Sequence, residues 1–221
     1  MMCDARLFEV QVATFSVDRA VMVAPLTGQT SVEALAGEIL AHAPPKFALA
    51  GLSMGGITAM EIIKRAPERV TRLALMDTNP HAEQAARALE RVAQIERVRA
   101  GGLRPVMRDE MKPNYLSEGP NKGRILDLCM AMSEALGVEV FIDQSLALKH
   151  RPDQCDTLRA IQVPTLILCG EDDTLCPVEK HELMRDLIPN AHLVIVPGAG
   201  HLPVLEQPAR TTDALRRWLS S

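Results

Sequence analysis

Six residues, Gly51-Leu52-Ser53-Met54-Gly55-Gly56, constrain this chain more than any other stretch. The apolar run Phe47-Ala48-Leu49-Ala50 leads into them and a mostly apolar stretch from Met54 to Ala66 leads out, so a strand must turn straight into a helix across Ser53. A turn that sharp strains the backbone of its central residue, and side chains at the flanking positions would strike the adjoining strand or helix. Glycine two positions away on either side removes that collision. The serine hydroxyl is then left projecting from the carboxyl end of a strand. Because the Met54 N–H opens the helix, it has no intrahelical acceptor, and the helix dipole favours negative charge beside Ser53. A tight turn carrying a solvated serine has the same local pattern, so the rest of the chain must decide.

Ala20 to Ala24, Phe47 to Ala50, Arg72 to Met76, Thr165 to Cys169 and His192 to Val196 are short apolar runs of strand length. Helical patterns separate them, with stops at Pro44-Pro45, Pro67 and Pro189. Residues 4–19 fit both periods, and helix is the preferred reading. This alternation predicts the α/β class: a mostly parallel central sheet with helices on both faces. The rhythm breaks between residues 78 and 157, where helical spacing runs over 84–99 and further helices are expected at about 105–116, 123–136 and 138–150. The expected organisation is a core of 1–77 and 158–221 with a helical cap inserted at 78–157. Met107, Met111, Met130 and Met132 fall in that insertion, as core filling or as an adaptable acyl pocket.

Composition narrows the function. The net charge of −4, with both signs interspersed, gives no basic footprint for nucleic acid or an anionic membrane, and aromatics are too sparse for base stacking. No apolar stretch reaches membrane-spanning length, and Met1-Met2-Cys3-Asp4-Ala5-Arg6 lacks the apolar core of a signal peptide. The expected setting is cytoplasmic and the expected partner a small molecule. Five cysteines without a C-x-x-C pair fit reduced thiols, and six histidines without H-x-H or H-E-x-x-H spacing call for no metal.

A serine hydroxyl is a poor nucleophile at neutral pH, so it needs a base, and the base needs an orienting carboxylate. In a parallel sheet, ligands bind outside the carboxyl ends of the strands, and that edge holds Ser53, Asp77, Asp172, Asp173 and His201. His42, His81, His150, His181 and His192 lie elsewhere, as surface or packing residues. Three motifs follow one another: the glycine-flanked serine, G-x-x-D-x-x-x-P from Gly170 to Pro177, and Gly198-Ala199-Gly200-His201 before a proline-led terminal helix. On these the chain resembles the α/β-hydrolase family over most of its length. The resemblance implies that Ser53 is the nucleophile, His201 the general base and then acid, Asp173 the orienting carboxylate and the Met54 N–H an oxyanion donor. It implies a carboxylic ester or related acyl substrate and no cofactor. Asp173 takes precedence over Asp172 by its place in the motif, while Asp77 remains the alternative acid. Serine at the turn argues against haloalkane dehalogenases and epoxide hydrolases, where a carboxylate attacks. Thioesters, lactones, carbon–carbon bonds of diketones and perhydrolysis stay open.

Family members normally carry an earlier strand ending in His-Gly or a similar dipeptide, whose next residue supplies another oxyanion donor. Here Cys3 to Phe8 resembles the segment that follows that motif, which puts Met1 or Met2 near the donor position. The expectation is an N-terminally short fold from a truncated or mis-started reading frame, lacking the strand between Ala20–Ala24 and Phe47–Ala50. That absence leaves backbone groups unpaired or forces those strands together. Losing one oxyanion donor costs on the order of 10²–10³ in turnover. The alternative function is therefore a weak or inactive hydrolase-fold protein that binds a small ligand. An open sheet edge would also favour a homo-oligomer.

Overall fold

Four of the five apolar runs become strands in the computed structural model, which describes residues 1–220. β1 (Phe47–Leu52), β2 (Val70–Met76), β3 (Thr165–Gly170) and β4 (Ala191–Val196) form one sheet in that order, each neighbouring pair parallel. The run at Ala20 to Ala24 does not join it: the segment has no regular structure, and Val21, Met22 and Val23 are 40%, 52% and 38% exposed. Extended backbone is stabilised by a ladder with a neighbour, and among the described residues β1 pairs with β2 alone. An apolar run without a ladder partner stays irregular, and the two segments do not close on each other.

Side chains alternate along the strands and sort the core into two layers. Leu73, Leu75 and Ile167 face α2 (Val32–His42) and α3 (Met54–Arg65), together with α7 (Cys155–Arg159) and α8 (Val178–Leu187). Ala74, Met76, Leu166 and Leu168 face the other way, toward α1 (Glu9–Phe15), α9 (Pro203–Glu206) and α10 (Pro208–Ser220), where Phe15, Val204 and Trp218 pack. Helix α2 starts where Ser31 Oγ accepts the Ala34 N–H at 3.1 Å, a side-chain cap, and α3 stops before Pro67. The helix at α1, preceded by a 3-10 turn over Ala5–Phe8, agrees with the preferred reading of residues 4–19.

Between β2 and β3 the chain runs through α4 (Ala85–Arg97), the single turn α5 (Leu103–Pro105) and the long α6 (Lys122–Lys149). Gly137, at φ 81° and ψ −176°, interrupts α6 at the boundary expected between two helices. This segment has its own apolar centre, in which Ile95, Val98, Val106, Met107, Phe141 and Ile142 meet. No helix among the described residues is long and apolar enough to cross a membrane.

Candidate active site

Ladder register brings the strand ends to one edge. Leu52 pairs with Met76, Met76 with Leu168, and Gly170 with Val196, so Ser53, Asp77, Asp173 and the loop ending at His201 all leave the sheet on the same side.

Ser53 has φ 54° and ψ −116°, a conformation that strains any residue with a Cβ. Three hydrogen bonds hold it there. Its N–H donates to the Met76 carbonyl at 2.8 Å, and its carbonyl accepts the Thr78 hydroxyl at 2.8 Å and the Ile57 N–H at 3.1 Å. The glycines divide differently from the sequence expectation. A Cβ on Gly51 would fall on the Gly55 carbonyl, and one on Gly56 would lie 2.6 Å from Thr78 Cγ2, whereas one on Gly55 would meet nothing within 4 Å. The steric demand rests on Gly51 and Gly56.

His201 reaches two of the expected partners. Its Nε2 lies 2.9 Å from Ser53 Oγ and its Nδ1 lies 2.8 Å from Asp173 Oδ2. Asp173 Oδ1 accepts the N–H groups of Leu175 at 2.8 Å and Cys176 at 3.0 Å. Burial pushes the Asp173 carboxyl up, but the His201 hydrogen bond, the His201 charge and those N–H groups together hold it below the usual carboxylate range. An ionised Asp173 makes His201 Nδ1–H the donor and leaves Nε2 to accept the Ser53 hydroxyl proton. Asp172 is exposed.

Asp77 is fully buried at the end of β2, with φ 43°. Its Oδ1 accepts the Gly170 N–H at 2.9 Å, while Oδ2 finds no donor. Burial first, and then the charge of Asp173, push this carboxyl well above its usual range. A protonated Asp77 resolves the orphaned oxygen, since Oδ2 then carries a hydrogen to donate toward Asp173.

The other histidines separate into two kinds. His181 is buried in packing as expected: its Nε2 accepts the Thr78 N–H at 3.1 Å, its Nδ1–H donates to the Pro177 carbonyl at 3.2 Å, and burial lowers its pKa to about 4. It is therefore a neutral brace for the residue that braces Ser53. His81 is half-exposed at the surface, as expected, and also lines the cavity above Ser53. That cavity, of about 510 Å³, also includes Met54, Tyr115, Leu175 and Cys176. Of the methionines, Met111 lines the cavity, whereas Met107 and Met132 are core. Met1 lines it too, but the Met2 N–H donates to Gln144 Oε1 at 2.7 Å and is committed to α6.

Sequence reasoning missed Glu206. Its carboxylate accepts the backbone N–H groups of Ser117 at 2.8 Å, Gly200 at 3.0 Å and Leu202 at 3.1 Å, and the Ser117 hydroxyl at 3.0 Å. The His201 N–H donates to the Tyr115 carbonyl at 2.8 Å, so the histidine loop is stitched to residues 115–117. The position of Glu206, one turn beyond His201, was its only local signal.

A family model described as the alpha/beta hydrolase family matches residues 6–214. A Klebsiella pneumoniae protein provisionally named carbamate hydrolase RutD is 28% identical over 190 residues, covering 80% of this chain and 68% of that one. The pimeloyl-(acyl-carrier protein) methyl ester esterase of Klebsiella pneumoniae is 26% identical over 203 residues, covering 85% and 75%. Among solved structures, a malate-bound thermophilic esterase from Thermogutta terrifontis superposes with a TM-score of 0.88 at 29% identity, covering 99% of this chain and 86% of that one.

Proposed function

The chain belongs to the α/β-hydrolase family, and we propose that it is a serine hydrolase cleaving a small carboxylic ester or related acyl compound through Ser53, His201 and Asp173. The observation that carries this reading is the unbroken line from the Ser53 hydroxyl through His201 to Asp173, at 2.9 and 2.8 Å, on a strained strand-to-helix turn.

In the acylation step Ser53 Oγ attacks the acyl carbon while His201 Nε2 takes its proton. The tetrahedral oxyanion is met by the Met54 N–H at the first turn of α3, where the helix leaves donors unpaired. His201 then gives the proton to the leaving alcohol. Water activated by the same Nε2 releases the acid and restores Ser53. Asp173 holds the imidazole in the Nδ1–H tautomer and balances the imidazolium. Asp77, pushed toward its neutral form, is an unsuitable partner for that imidazolium, which favours Asp173 as the acid.

A second reading, a hydrolase-fold protein that binds a ligand with little or no turnover, draws on one observation: the Met2 N–H is bonded to Gln144 and not free to serve an oxyanion. A fluorophosphonate probe separates the two. The expected result is labelling of the wild type that disappears in Ser53→Ala and His201→Ala. A cooperatively folded protein that takes no label would favour the second reading.

A further inference from the structure

The chain as a whole is acidic, yet its cavity is not. Arg87, Arg91, Arg151 and Lys180 line it against Glu83, Glu90 and Glu110. Each of those carboxylates already has a cation. Glu90 holds Arg87 at 2.9 Å, and Glu110 holds Arg97, which lies outside the lining, at 2.7 Å. Glu83 is shared: Oε2 accepts from Arg91 Nε at 2.6 Å and Oε1 from Arg151 Nη2 at 3.2 Å. Two guanidiniums thus face one carboxylate, and all three groups are largely out of water, with side chains 12%, 11% and 4% exposed for Arg91, Arg151 and Glu83.

That cluster carries one positive charge in excess. Its remaining donors are unused: among the described residues, Arg91 Nη2 and Arg151 Nη1 have no hydrogen-bond acceptor, while Arg91 Nη1 reaches only the Met1 sulfur at 3.6 Å and Arg151 Nε is spent on the His81 carbonyl at 3.1 Å. Burial pulls the Arg151 guanidinium below its usual range; Glu83 opposes that pull and Arg91 adds to it. Neither spare nitrogen is among the buried unpartnered atoms, so both open onto the cavity, and a guanidinium offering free planar donors there matches a carboxylate in both geometry and charge. A purely structural tie between α4 and the end of α6 would need only one arginine for Glu83.

We propose that Arg91 and Arg151 form an anion subsite, selecting acyl substrates with a second carboxylate remote from the scissile ester, namely monoesters of dicarboxylic acids. Ser53 and His201 line the same cavity, so one substrate can span both, and a sphere of its volume is roughly 10 Å across. This rests on the serine-hydrolase reading above. A charge-assisted pair in such surroundings favours the anionic ester by about tenfold or more, mainly through KM.

The test compares 4-nitrophenyl hydrogen adipate with 4-nitrophenyl hexanoate, which has the same chain length and no terminal charge. The expected result is a kcat/KM ratio of about ten or more in favour of the adipate, falling toward one in Arg91→Gln and in Arg151→Gln and recovering partly in Arg151→Lys. Either single glutamine variant leaves Glu83 paired one to one, so the fold is not left with a bare buried carboxylate. Turnover of hexanoate with equal or lower turnover of adipate would overturn the subsite and leave the hydrolase reading standing, as would a preference unchanged in both glutamine variants. If neither ester turns over and Ser53 takes no fluorophosphonate, the hydrolase reading fails. Calorimetry with free adipate then decides the subsite, which requires binding to the wild type that is weakened in Arg151→Gln.

Discussion

β1 and β3 each deliver one member of the Ser53–His201–Asp173 line, but they are held by different means. β3 lies between β2 and β4 and is buried from Thr165 to Gly170. β1 has one neighbour and leaves Ala48 and Ala50 exposed. Asp173 therefore rides on the packed centre of the sheet. Ser53 is held locally, by the close passage of Gly51 against Gly55 and by hydrogen bonds that its own backbone donates to Met76 and accepts from Ile57 and Thr78. A site residue can be fixed by the bulk of a core or by close backbone approach. The second way needs fewer neighbours but tolerates no added atom at the contact.

The comparison can be broken first at the chemistry. Ser53→Ala should lower ester hydrolysis by at least about 10⁴-fold with the thermal melt unchanged; residual hydrolysis near the wild-type rate would remove β1's role as carrier of the nucleophile. Asp173→Asn should cost about 10⁴-fold in kcat because the wrong tautomer is favoured. Asp172→Asn should stay within about twofold, since a solvated charge contributes little, and the reverse ranking would shift the acid off β3's loop.

The two ways of holding are separated by stability. Leu168→Ala, in the centre of β3, should cost about 2–5 kcal/mol in urea unfolding. Gly51→Ala should cost about 3 kcal/mol, with loss of activity, because backbone has to move. Gly55→Ala should be neutral or stabilising by up to about 1 kcal/mol, since the site is open and alanine suits a helix. Equal effects at the two glycines would refute the local account of Ser53.

The smallest effect concerns Asp77. Its folded-state pKa is raised, so its contribution to stability is fully present below the unfolded-state value and is lost as pH rises through the folded-state value. Asp77→Asn removes that loss. The melting temperature of the variant relative to wild type should therefore climb from pH 4 to pH 8, and a difference that falls with pH would mean that Asp77 is ionised in the native protein. Asp173 has the opposite linkage, contributing stability above its unfolded-state pKa and losing it as pH falls through the depressed folded-state value.

What could be read from sequence follows the range of the interactions. The parallel α/β class and the turn at Ser53 are written in short windows, because periodicity, glycine spacing and proline stops act over a few residues. The run at Ala20 to Ala24 has the same local pattern as a strand, but a strand is a pairwise object and its partner is not coded within the run. That His81 also lines the cavity is not legible locally, because its position depends on contacts made across some seventy residues, including Asp153 at 3.1 Å and the Arg151 guanidinium on its carbonyl. Glu83 and Glu206 were invisible for the same reason. A glutamate reads as a solvated charge until the structure shows the donors that converge on it.

The stitching of His201 to residues 115–117 acts as an interlock. Swinging that segment aside would break the Tyr115 carbonyl from the His201 N–H and pull Ser117 from Glu206, which also steadies Gly200 and Leu202 on either side of the histidine. Opening the cavity there and keeping the His201 imidazole in position exclude each other. The stretch from Glu83 to Arg91 is tied instead to Arg151, through hydrogen bonds that share no residue with the line from Ser53 to Asp173, so a displacement there leaves that line intact.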